Sequence, residues 1–324
     1  MPVPSTTLST LQTQLEPFLE FALAQAADQF IASQVFPVTR VAKASGVLGV
    51  IPLEEMLRNH ATGLRAPGTG YGRSSATFTS TSYTCAEYGF EELVDDAQAA
   101  LYSDYIKAGE LAMMRAAYEL MSAYEARVAS LVFNTSTYTG ALDTTVANGQ
   151  WTSSSSTPIT DVETAVQAFY SQSGLWPNTL IMNRQVYRQL RLNPQVVAAI
   201  NGAGAGDRAA SRDVTLEQLQ AVFDIPKILV AGGSKNTAGH AAAASISQIW
   251  GKHVMVCRTA SSEDMSEPCI GRSFHWTEDG GPHSGLLEIY RQEDVRSDVV
   301  RVRHWSAEKL LYTEMGHLIP NVIA

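Results

Sequence analysis

By residue type, the strongest candidates for chemistry are His253, Cys257, Cys269 and His275, an H-x3-C-x11-C-x5-H arrangement. Imidazole nitrogen and thiolate sulfur are the usual ligands of tetrahedral zinc, and the spacing superficially resembles a zinc site. It lacks a C-x2-C knuckle, however. His253 to Cys257 also falls in a strand-like run, where His253, Met255 and Cys257 share one face. The expectation is therefore two buried thiols and two surface histidines, with no metal. A metal-dependent enzyme using these four residues is the alternative from a different class.

Other catalytic signatures are missing. The glycine runs at Gly202–Gly206 and Gly232–Gly233 complete neither the dinucleotide fingerprint nor a P-loop. The acidic pairs Glu54/Glu55, Asp95/Asp96, Glu278/Asp279 and Glu293/Asp294 are adjacent in sequence, and adjacent side chains diverge on a helix or a strand. No G-x-S-x-G elbow occurs. The sequence calls for no cofactor and no catalytic residue.

Bulk properties point to assembly. The 324 residues are 45% hydrophobic and only 17% charged, which suits a surface largely covered by partners. The net charge of -9 disfavours wrapping nucleic acid, although an acidic shell can enclose DNA without gripping it. Three cysteines are too few for a disulfide framework. The amino terminus lacks the basic and apolar regions of a signal peptide. No stretch reaches the roughly 18 apolar residues of a membrane span. Synthesis in the cytoplasm is expected.

The elements that must position these residues begin with an amphipathic helix over Leu8–Ser33 and a short strand over Val35–Val41, placed at a sheet edge by Pro37. A Gly/Ser/Thr-rich tract, Arg58–Phe90, then predicts a two-stranded arm with a glycine-rich tip and a strand over Thr77–Tyr88. A lone hairpin is marginal in water, so the arm should lie on something. An apolar stripe (Tyr102, Ile106, Met113, Ala117, Leu120, Tyr124, Val128, Leu131) predicts one long helix over Glu91–Phe133, about 60 Å if continuous. Helices over Asp161–Gln172, Arg184–Ile200 (interrupted at Pro194) and Leu216–Phe223 follow. Strands are expected at Thr179–Met182, Lys227–Ala231, Ser247–Val256, Leu286–Arg291, Val299–His304, Lys309–Tyr312 and His317–Ile319. Without βαβ alternation the class is α+β.

In order and spacing, several segments resemble the major capsid proteins of tailed bacteriophages, which share the Hong Kong 97 (HK97-like) fold. They are FPVTRV at Phe36–Val41, RAPGTG at Arg65–Gly70, YTCAEYGFEELVDDAQ, EARVASLVFN, STPITDVETAV, GLWPNTLIMNRQVYRQLRLNPQV, LEQLQAVFDIPKILVAGG and the tail SDVVRVRHWSAEKLLYTEMGHLIPN. The resemblance implies an amino-terminal arm (1–35), a peripheral-domain strand (36–50) and an extended loop, the E-loop (51–90). A peripheral domain with its spine helix (91–160), an axial domain (161–285) and shared return strands (286–324) complete the expected plan. The implied function is a homo-oligomer of hexamers and pentamers. These would close the icosahedral head of a virion around double-stranded DNA, with a portal, a separate scaffold or decoration proteins as partners and no membrane.

Two departures matter. No lysine lies between Lys43 and Lys107, so a lysine cross-link through the extended loop is not expected. Only about 35 residues precede the first strand, so either a scaffold is a separate protein or the chain is a mature product, and the initial Met1 favours the first. The loop's basic residues Arg58, Arg65 and Arg73 become candidate intersubunit contacts, reaching Glu91, Glu92, Asp95 or Asp96 of a neighbour. An encapsulin-like nanocompartment with the same fold is the closest alternative.

Overall fold

A computed structural model describes residues 29–58, 65, 67–68, 70–71, 77–101, 107–201, 214–238, 242–277 and 281–324. The helix expected over Leu8–Ser33 lies mostly outside them; its last residues form a single turn, Ala32–Val35.

Two sheets share one long helix. The first has the order β1 (Val38–Val41), β10 (Gly271–Trp276), β12 (Ser297–Leu310), β11 (Leu286–Gln292), with β4 (Ala86–Asp95) on the other side of β12. The second has the order β13 (Gly316–Ile319), β9 (Val254–Cys257), β5 (Thr179–Asn183), β6 (Lys227–Ala231). β5 and β6 run parallel, whereas β9 is antiparallel to both β5 and β13. Two ribbons, β2 (Ser45–Val50) with β3 (Thr79–Thr84) and β7 (Ser234–Asn236) with β8 (Ile246–Gln248), pair separately from the sheets, and the first packs Tyr83 on Phe274 of β10. The α+β class and the edge position of β1 are as expected.

The long helix, Ala108–Val132, bridges the sheets. Ala112, Met113, Ala116, Ala117 and Leu120 pack on Leu287, Ile289, Val300 and Val302 of the first sheet. Further along, Tyr124, Val128 and Val132 join Ile181, Met255 and Leu318 of the second. Stepping by three and four keeps both groups on one stripe, as the sequence implied.

The helix is shorter than Glu91–Phe133. Its 25 residues span about 38 Å at about 1.5 Å per residue. Glu91–Asp95 belongs to β4, paired with Ser297–Arg301 of β12. The cause is an alternation of period two: Tyr88, Phe90 and Val94 face the core, while Glu91, Leu93 and Asp95 face outward. Asp96–Leu101 is a separate short helix, and Tyr102 and Ile106 lie outside the described residues.

Other boundaries also move. β3 pairs with Ser45–Val50, so a division at residue 51 cuts the ribbon, and β4 crosses a division at residue 90. The single strand expected over Ser247–Val256 is two strands, separated around the buried Trp250. Val299–His304 and Lys309–Tyr312 merge into β12, which β11 and β10 cover in succession along one edge and β4 along the other.

Glu125 lies inside this framework, fully buried on the long helix. One carboxylate oxygen accepts from Ile31 N at 2.8 Å and Trp250 Nε1 at 2.5 Å, and the other accepts from Ala32 N at 2.8 Å. Burial pushes its pKa up, opposed by these three donors. A glutamine offers one acceptor oxygen to three converging donors. Glu125→Gln should therefore cost about 1–3 kcal/mol for each donor left unpaired. Denaturant unfolding of the variant would read this as a lower midpoint at unchanged slope.

A second buried group joins helix, sheet and loop. Arg127 forms a two-pronged pair with Glu308 (3.0 and 3.1 Å), lies 3.7 Å from the Tyr88 ring centroid and approaches His304 Nε2 at 3.3 Å. His304 Nδ1 donates to the His283 carbonyl at 2.8 Å, which leaves Nε2 as the acceptor for Arg127. The His283 and His304 rings stack at 5.1 Å. Burial pulls their pKa values down to about 3 and about 4, with neighbouring positive groups adding to it. The unfolded chain thus takes up protons first. Stability should be full above about pH 6.5 and fall as pH drops toward 4. His283→Gln should flatten that decline in a midpoint-against-pH series.

Candidate assembly surface

The four metal candidates do not converge. His253 Nδ1 accepts from Asn321 N at 3.0 Å, and its ring packs on Phe133. Cys257 and Cys269 are fully buried, and burial pushes both thiols up, away from the thiolate a metal needs. Met255 and Cys257 share a face, as expected. His275, expected at the surface, is buried in β10, with Nδ1 2.8 Å from Trp305 O and Nε2 2.9 Å from Gly281 O. Both ring nitrogens are committed to carbonyls. Among the described residues, no group of three or more His, Cys, Asp or Glu could hold a metal ion.

The charged candidates do gather, but within one subunit. Period-two alternation along β12 turns Val300 and Val302 into the core and Arg301 and Arg303 outward. Across the register, Arg301 lies between Glu91 of β4 and Glu288 of β11. Its Nε donates to Glu91 at 2.6 Å and its Nη1 to Glu288 at 3.3 Å. Arg303 reaches Glu288 at 2.8 Å and Glu87 at 3.1 Å. Arg291 holds Asp96 through two bonds of 2.6 and 2.7 Å and also meets Asp298 at 3.2 Å. The outer face of three strands is thus a lattice of acids and arginines, Glu87, Glu91, Glu288, Arg301 and Arg303, crossed by the exposed Leu93. Arg291 and Asp298 share the parity of Ile289 and Val300, so their group with Asp96 lies at the sheet's end on its other face.

Most residues proposed to bind a neighbour therefore have partners within the chain. Glu91 pairs with Arg301, Glu92 with Arg115 at 3.1 Å, and Asp96 with Arg291. Asp95 accepts from Ala97 N at 2.9 Å at the start of the short helix. Arg58 pairs with Glu55 at 2.8 Å, and the Arg65 guanidinium lies 5.1 Å from the Tyr71 ring centroid. Arg73 lies outside the described residues. Arg291, Arg301, Arg303 and Glu288 were missed as partners. The signal for Arg301 and Arg303 was the alternation in SDVVRVRHW, which sends both to one face.

Arg303 lowers the Glu288 pKa through a direct hydrogen bond, partly opposed by burial, with Arg301 adding to it. A depressed carboxylate stabilises the fold above its ordinary pKa of 4.5, and that contribution is lost as pH falls below it. Glu288→Gln should therefore lower stability near neutrality by no more than about 1 kcal/mol, because the site is partly solvated. Its midpoint should converge with that of the parent protein under acidic conditions.

No protein-family model matches the chain. It is 22% identical over 307 residues to the major capsid protein of Burkholderia phage BcepMu, covering 91% of this chain and 92% of that one. It is 25% identical over 207 residues to the major capsid protein of Pseudomonas phage JBD67, covering 62% of each, less than two thirds of that relative. Among solved structures, a phage-related protein of Bordetella bronchiseptica RB50 superposes with a TM-score of 0.68 at 21% identity, covering 94% of this chain and 96% of that one. The mature capsid of bacteriophage PhiM1 gives 0.54 at 11%, covering 87% and 84%. The virus-like particle of Pyrococcus furiosus gives 0.56 at 12%, covering 95% and 98%. The fold is a mixed α+β fold shared with phage capsid subunits. The resemblance to phage major capsid proteins drawn from the sequence is borne out.

Proposed function

We propose that this chain is the major capsid protein of a tailed bacteriophage, with an HK97-like fold, assembling as hexamers and pentamers into an icosahedral head around double-stranded DNA. The observation that carries this reading is the match to the BcepMu capsid protein along nearly the full length of both chains. The bridging helix and the separately paired β2–β3 ribbon support it, since they fit a spine and the base of an extended loop. The intrachain pairing of Glu91, Glu92 and Asp96 moves the expected neighbour contacts of Arg58, Arg65 and Arg73 toward other acceptors. A portal and a scaffold or decoration proteins are the partners such a shell requires. Assembly would take place in the host cytoplasm.

The encapsulin-like alternative rests on a likeness of fold to the Pyrococcus particle, at lower identity than the phage relatives. The metal-enzyme alternative loses its basis in the separate commitments of His253 and His275. Electron microscopy of the expressed protein tests the reading. Closed shells, tubes or capsomers of five and six subunits are expected, and small discrete oligomers alone would overturn it.

A further inference from the structure

We propose that the outward face of the helix Arg184–Leu192, carrying Arg184, Arg188 and Arg191, is a contact surface for the phosphate backbone of duplex DNA. This rests on the shell reading above, which places the protein around a genome. Between Glu163 and Asp207 the chain has no Asp, Glu or Lys, and these three arginines are its only charged residues. In a chain with a net charge of -9, that is a marked local reversal.

The fold turns this composition into a stripe. Steps of four and three place the three arginines along one helix face, about 10 Å long at about 1.5 Å per residue. On the opposite side, Val186 and Leu190 are buried with Leu180 and Met182 of β5. Asn183 caps the helix by accepting from Val186 N at 2.8 Å, and its amide donates to Gly251 O at 2.9 Å. The exposed Lys252 follows directly, so a further positive residue borders the helix start.

Arg184 and Arg188 differ from the arginines of the first sheet and the long helix. Arg115, Arg127, Arg291, Arg301 and Arg303 are all paired with carboxylates. Arg184 and Arg188 are exposed, and neither has a carboxylate partner among the described residues. Arg191 is half-buried, its guanidinium 5.7 Å from the Tyr187 ring centroid. Guanidinium forks match phosphate oxygens, and a duplex carries one phosphate charge per roughly 1.7 Å of axis. An acidic patch of a second copy is the competing occupant. Glu87, Glu91, Asp96 and Glu288 are already held by arginines, and the exposed Glu119, Glu163, Glu217 and Glu263 are spread over three helices and a loop, so DNA supplies the greater density of negative charge along one line.

The test uses the full chain and a short mixed-sequence duplex, with binding followed by fluorescence anisotropy as salt is raised. Three phosphate contacts predict a slope of log affinity against log salt near about -2.7, at about -0.9 per contact. The double variant Arg184→Gln/Arg188→Gln should bind roughly tenfold or more weakly, with a slope near about -0.9, while its melting stays unchanged. Absent binding at low salt, or unchanged binding by the variant, overturns the proposal. Electron microscopy of the same samples separates the two readings. Parent particles without DNA binding sink this surface and leave the shell intact, whereas salt-sensitive binding lost in the variant without any particles sinks the shell and keeps the surface. Altered particles with unaltered DNA binding assign the stripe to a contact between copies and overturn the proposal.

Discussion

A carboxylate without a positive partner ties the subunit together at Glu125. Burying such a group is costly unless it is hydrogen-bonded, and here a tryptophan and two backbone amides give it three bonds shared over both oxygens. The donors serve two structural tasks. Ile31 and Ala32 open the helical turn that leads into β1, and Trp250 sits in the passage between β8 and β9. The long helix therefore fixes the entry of the chain and the second sheet through a single side chain. The Arg127 group, half a helix turn further on, repeats the arrangement for the first sheet with a full ion pair.

The charge lattice on the outer sheet face has a different character. Its members are partly solvated, and each contributes little to stability alone. Their effect is one of order: three strands are locked side by side in one register by groups that could otherwise pair at random. A surface whose charges are mutually satisfied presents little net attraction to a passing partner. Recognition between copies must then rely on shape, on apolar residues such as Leu93, or on charges left outside the lattice.

How much of this was legible in the sequence depended on the distance along the chain of whatever decides each feature. The stripe from Met113 to Leu131 is local, and the helix followed it. Pro194 and the flanking apolar residues similarly marked two helices, Arg184–Leu192 and Pro194–Asn201. The start of the long helix was misplaced because Glu91–Asp95 looks like an acidic helix opening until β12, some two hundred residues later, claims it as a strand. The Glu91–Arg301 pair spans 210 positions and the Glu125–Ile31 bond 94. No local pattern announces either. The burial of Cys257 and Cys269 was legible from the strand-like run, but the surface position expected for His275 was not: the carbonyls of Trp305 and Gly281 that hold its ring come from β12 and from a loop outside its own strand.

The path from ribbon to sheet has a mechanical consequence. β3 passes through Cys85 directly into β4, and β4 is hydrogen-bonded along the whole of Ala86–Asp95 to β12. A pull on the ribbon along the strand axis is therefore delivered in shear. It loads all of those rungs together, whereas a perpendicular pull would peel them one by one. β12 in turn spreads the load to β11 and β10 on its far edge, so the arm is anchored in the sheet like a tenon and not hung from its rim.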